Sequence, residues 1–112
     1  MTNDGRRAAI DAYKERKAAA GIYAVRCRAS GETWVGRAAD LDKIQNRLWF
    51  TLRQGGNPHR ALQAAWRAHG AEAFAFEVLE RLPDAEASDY LRAAALKDRL
   101  AHWRDALGAA AI

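Results

Sequence analysis

At 112 residues and 12.4 kDa the chain has room for one domain and one modest core. Its single cysteine, Cys27, excludes an internal disulfide and a multi-cysteine zinc site, and no apolar run approaches the roughly 20 residues that a membrane span needs. The net charge of +4 is uneven: residues 1–67 hold 13 Lys/Arg against 6 Asp/Glu, residues 68–112 hold 5 against 8, and a basic front half points to a polyanionic partner.

The opening MTNDGRRAAIDAYKERK has basic residues but no apolar stretch. A secretory signal is therefore not expected, and a cytoplasmic location is. Residues 4–20 are predicted as a helix that Asp4 caps and alanines fill. Gly21 ends it. GIYAVRCR over 21–28 alternates, with Tyr23, Val25 and Cys27 on one side, and predicts a strand. Ala-Ser-Gly-Glu at 29–32 is a turn signal, and Thr33–Arg37 a second short strand, so the two should form an antiparallel hairpin.

Asp40 is a good cap for a helix reaching about Gln54, with Leu41, Ile44, Leu48 and Leu52 on one buried face. Gly55 and Gly56 stop it. Asn57 then Pro58 reads as a cap followed by proline at the first helical position. The next helix carries Leu62, Ala65, Trp66 and His69 on its packing face, with Arg60, Gln63 and Arg67 on the other, and closes at Gly70. Phe74, Phe76 and Val78 alternate along a third strand that ends near Glu80. Leu82-Pro83-Asp84 breaks the chain and caps a last helix with the stripe Leu96, Leu100, Trp103 and Leu107. The predicted architecture is α+β, in the order α-β-β-α-α-β-α. A helix over 1–20 precedes a core at 21–83, and a helical segment at 84–112 follows it.

Gly21-Ile22-Tyr23, then Trp34-Val35-Gly36 after the hairpin, resembles the paired signature of the GIY-YIG nuclease superfamily. The layout that follows is also similar: a helix opened by Asp40-Leu41, a helix of the form Leu62-Gln63-x-x-Trp66-x-x-His69-Gly70, and a strand F-x-F-x-V-L-E from Phe74 to Glu80. The resemblance implies a small three-stranded antiparallel sheet flanked by helices. It also implies DNA phosphodiester cleavage that depends on one divalent cation, Mg²⁺ or Mn²⁺. Such chemistry needs a base for water, a cation for the charge developing on phosphate, and a carboxylate to hold the metal.

Carried over by resemblance, Glu80 is the metal-binding carboxylate and Tyr23 the proton-accepting tyrosine, if nearby positive charge favours its phenolate. Trp34 stands at the second motif tyrosine, where an indole cannot replace a phenol in proton transfer and is expected to pack. Gly36 matches the motif glycine. The family's arginine position falls on Ile44. Arg47 lies one turn on, and Arg37 follows Gly36; either would have to supply the charge. The assisting histidine falls on Asn57, for which His59 is the nearby substitute. The assisting asparagine falls near Ala101, beside His102.

Two functions follow. One is a metal-dependent endonuclease acting through Tyr23, Glu80, and Arg47 or Arg37. The other is a DNA-binding module on the same fold with catalysis weakened or lost, which the residues at Trp34, Ile44, Asn57 and Ala101 motivate. Lys43, Arg47, Arg53, Arg60 and Arg67 would meet DNA phosphates in either case. Phosphate contacts carry no sequence information, so sequence specificity is not expected; a protein partner or a homodimer would have to supply selectivity.

Overall fold

The computed structural model describes residues 19–82 and 88–112. The helix expected over 4–20 lies outside them except for its last two residues, as do Pro83 and Asp84. Among the described residues no helix is long and apolar enough to cross a membrane.

Strands β1 (Gly21–Cys27) and β2 (Thr33–Ala38) form the expected antiparallel hairpin, and β3 (Phe74–Arg81) pairs antiparallel with the other edge of β1. The sheet has four strands rather than three. A two-residue strand, β4 (Ala110–Ala111), runs parallel to β2 and completes the order β3-β1-β2-β4. Ala-Ala has no alternation to read. This strand exists because Gly108, at φ 60°, turns the chain back and because the Ile112 N–H donates to the Val35 carbonyl at 2.8 Å.

Helix α1 (Leu41–Gln54) starts as its sequence predicts: the Asp40 carboxylate accepts from the Asp42 and Lys43 N–H groups, both at 3.1 Å. It ends at Gly55, whose φ of 76° is the left-handed conformation that glycine adopts without strain. Helix α2 (Arg60–His69) begins two residues later than expected. Asn57 does not cap it. Its Oδ1 instead accepts from the His59 N–H at 2.9 Å, which builds the turn before the helix, and Nδ2 donates to Thr51 Oγ1 at 3.0 Å. His59 takes the cap position and makes no side-chain capping bond.

Gln63, expected outward with Arg60 and Arg67, is buried. Its Nε2 donates to the Leu52 carbonyl and its Oε1 accepts from the Asn57 N–H, each at 3.0 Å. A buried amide is tolerated because both ends are bonded. It ties the last turn of α1, the 55–59 loop and α2 into one unit. His69, expected on the packing face, is exposed instead.

The sheet separates two apolar layers. On one face Tyr23, Val25, Cys27 and Trp34 pack with Leu48 and Leu52 of α1 and Leu62 of α2. Tyr23 stacks on Phe76 at 5.2 Å, and Trp34 on Phe74 at 6.3 Å. On the other face helix α3 (Asp89–Leu107), capped by Ser88, covers Ile22 with Leu96, Leu100 and Trp103. Leu107, the fourth member of the expected stripe, is exposed.

Gln63→Ala would leave the Leu52 carbonyl and the Asn57 N–H without their partner. The expected loss is about 1–3 kcal/mol in a urea unfolding titration. Full native stability would show that the loop does not depend on this clamp.

Candidate functional site

A cavity of about 280 Å³ opens on the face that carries α1 and α2. Tyr23 and the apolar side chains Ile44, Leu48 and Ile112 form part of its lining. Arg37, Arg47, Asn57 and His59 contribute the polar part. Arg47 projects from α1 and is exposed, as is Arg37 at the end of β2. Arg37 also lines a second cavity with Ala93 and Leu96 of α3, so it stands between the two faces of the sheet. Ile44 is only half buried: it forms cavity wall rather than core alone.

Two motif glycines shape this site. A Cβ on Gly36 would collide with the Tyr23 hydroxyl, and one on Gly21 with the Glu80 carbonyl oxygen. The missing side chains thus let the Tyr23 ring lie across β2 and let β3 close on β1. Tyr23 is 3% exposed, and burial pushes its hydroxyl up to about 12. That is the wrong direction for a base. At neutral pH Tyr23 keeps its proton and can donate it in a hydrogen bond to an anion. His59 Nδ1, by contrast, is buried with no hydrogen-bond partner among the described residues. A buried polar atom without a partner at the wall of a cavity is a place for a ligand atom.

Glu80 is not among the residues that line this cavity. The pairing of β1 with β3 slips between Ile22 and Tyr23: Tyr23 faces Val78, Ile22 faces Glu80, and Leu79 is the extra residue. Strict alternation from Phe74, Phe76 and Val78 would put Glu80 on the Tyr23 side; the bulge turns it to the α3 side. There Arg99 Nε donates to both carboxylate oxygens, at 2.8 and 3.1 Å, and Trp103 Nε1 donates to one at 2.8 Å. The Trp103 bond first, then the Arg99 bond and charge, hold the Glu80 carboxyl below its ordinary 4.5 against the opposing effect of burial.

Arg99 and Trp103 are the partners that sequence reasoning missed. Both lie on α3, and the Arg99-x-x-x-Trp103 spacing, one helical turn, was the available signal. Among the described residues no three His, Cys, Asp or Glu side chains gather and no acidic side chain lines the Tyr23 cavity; Glu80, the carboxylate expected to hold the metal, accepts from Arg99 and Trp103 instead.

No protein-family model matches the chain, and neither does any curated protein. Two solved structures do. The catalytic domain of the homing endonuclease I-TevI superposes with a TM-score of 0.69 at 24% identity, over 83% of this chain and 97% of that one. A mutant of the catalytic domain of the intron endonuclease I-TevI gives 0.67 at 24%, over 80% and 84%. The chain has the fold of the I-TevI catalytic domain.

On this fold the structure brings Tyr23, Arg37, Arg47, Asn57 and His59 to one cavity and leaves Glu80 apart from it. Trp34 is buried in the core against Phe74, as its indole predicted. His102 is exposed on α3, edge-on to Trp103, and is not at the cavity. Lys43, Arg53, Arg60 and Arg67 are exposed on α1 and α2; Arg67 also donates to the Gly55 carbonyl at 3.4 Å.

Because the folded state lowers the Glu80 pKa, the carboxylate contributes stability above 4.5 and loses it as pH falls through the lowered value. Glu80→Gln should therefore lower the urea midpoint at pH 7. The gap to the native chain should close well below pH 4.5. A gap independent of pH would mean that the charge on Glu80 is not what stabilises the α3 contact.

Proposed function

We propose that the chain is a DNA-binding protein whose Tyr23 cavity seats a backbone phosphate, and that it acts as a binding module on the nuclease fold. The observation that carries this reading is the separation of charge across the sheet. The guanidinium groups of Arg47 and Arg37, a protonated phenol and an unpartnered imidazole nitrogen belong to residues that line the cavity, with Arg37 standing between the two faces of the sheet. The glutamate expected to hold a metal is turned to the other face and bonded there.

These are the groups that recognise phosphate. Arginine offers a planar fork of N–H donors, and hydrogen bonds between ionised partners are about twice as strong as neutral ones. Tyr23 adds a neutral donor, and His59 Nδ1 is placed to donate when it carries a proton. Lys43, Arg60 and Arg67 extend the positive surface over which the flanking phosphates would run. Such contacts are independent of sequence, so selectivity would come from a protein partner or a second copy of the chain. A protein of this kind would work on DNA in the cytoplasm.

The second reading is a metal-dependent endonuclease using Mg²⁺ or Mn²⁺. In its favour stand the I-TevI neighbours, described as endonuclease catalytic domains, and the gathering of Tyr23, Arg37, Arg47 and His59 in one cavity.

Fluorescence anisotropy with a labelled oligonucleotide tests the phosphate seat. Arg37→Ala and Arg47→Ala should each weaken binding at low salt. Each should also reduce the slope of log K against log salt by about one, because one phosphate contact is lost. Native affinity in both variants would remove the cavity from the DNA face. Nicking of supercoiled plasmid in Mg²⁺ or Mn²⁺ separates the readings: none is expected, and nicking that Arg47→Ala abolishes would establish the endonuclease.

A further inference from the structure

Between Asp42 and Glu72 the sequence has no acidic residue, and it places Lys43, Arg47, Arg53, Arg60 and Arg67 there. Most of α1 falls in this stretch, and its solvent side holds a side chain that polarity does not explain: Phe50 is 59% exposed. Residues three and four apart are neighbours on a helix, so Phe50 is bordered by Asn46 and Arg47 on one side and by Arg53 and Gln54 on the other.

Each bordering arginine also lines a cavity. Arg47 belongs to the Tyr23 cavity. Arg53 lines a separate one of about 300 Å³ with Trp49, Trp66 and Phe74, in which the two indoles lie 5.5 Å apart. A strip thus crosses the outside of α1 from cation to ring to cation to paired indoles.

We infer that this strip takes single-stranded DNA, with an unpaired base stacked on Phe50, the next against the Trp49–Trp66 cavity, and the intervening phosphates on Arg47 and Arg53. The inference rests on the phosphate reading of the Tyr23 cavity and adds the state of the DNA. Aromatic rings spaced among cations fit a single strand, because every unpaired base offers a π-face and every linkage a charge. A duplex keeps its base faces stacked inside and would present only phosphates to Phe50. Among the described residues the other strongly exposed large apolar side chains, Tyr90 and Leu91, lie on α3, across the sheet.

The test measures anisotropy of a labelled oligo-dT and of a duplex of equal length with the full chain at low salt. The single strand should bind more tightly. Phe50→Ala should weaken single-strand binding about tenfold, the scale of one base–aromatic stack, with an unchanged salt slope and little effect on the duplex. Phe50→Trp should bind as the native chain does. Phe50→Leu should behave like Phe50→Ala, since it keeps the apolar surface and loses the π-face. The side chain is exposed, so a melting curve should show each variant folded.

Native affinity in Phe50→Ala or Phe50→Leu, or tighter binding of the duplex, overturns the inference. If Arg47→Ala still weakens binding in that case, the phosphate seat stands alone. If the native chain binds neither probe, both readings fall. A dimer seen by sedimentation and lost in Phe50→Ala would assign the face to a second copy of the chain and also overturn the inference.

Discussion

Between Tyr23 and Ile22 the ladder joining β1 to β3 slips by one residue, and Leu79 is left over. Side chains alternate along a strand, so one extra residue reverses the face of everything beyond it. Val78 stays with Tyr23 and the helices α1 and α2. Glu80 passes to the α3 side, where Arg99 and Trp103 take both of its oxygens. This slip fixes the electrostatics of both faces: it sends a negative charge into the contact with α3 and leaves the Tyr23 cavity lined by cations and neutral groups. The same segment requires Gly21, since β3 passes so close that a Cβ would strike the Glu80 carbonyl.

The cavity holds its shape through hydrogen bonds that belong to none of its charges. Gln63 bonds the end of α1 and the Asn57 backbone, while Asn57 bonds Thr51 and His59. The loop that presents His59 is therefore pinned at both ends by amide groups, and of the hydrogen bonds that hold it none comes from Arg37 or Arg47. Arg37 and Arg47 remain exposed and available to an anion. Separating the groups that build a site from the groups that act in it lets either set change without the other.

Much of this architecture is readable from residue order, because the signals are local. Asp40, the spacing of Leu41, Leu48 and Leu52, and Gly55 each act within a turn or two of helix, and they define α1 closely. The hairpin and β3 follow from alternation. What escaped was set by pairing between distant segments. The face of Glu80 depends on a bulge that no residue type announces. Strand β4 depends on backbone bonds to β2. Asn57 and Gln63 look like a cap and a surface amide until the neighbouring loop gives them other partners. In the candidate site, Tyr23, Arg37, Arg47 and His59 were each legible as residues, but the proton on Tyr23 was not. It is decided by the burial of the ring beneath β2 and against Phe76.

That proton bears on what an anion in the cavity would do. An anion beside Tyr23 disfavours a second negative charge, so it would raise a pKa that burial has already pushed to about 12. The more firmly a phosphate is held, the more firmly Tyr23 keeps the proton that it donates. The apolar walls of Ile44, Leu48 and Ile112 act in the same sense, since they exclude water and strengthen each remaining charge–charge contact. Proton removal from water by Tyr23 or Glu80 would need the opposite arrangement: a phenolate stabilised by cations, or the carboxylate on the Tyr23 side of the sheet. The burial of Tyr23 disfavours the first and the bulge beside Glu80 works against the second, and both suit the cavity to holding a phosphate.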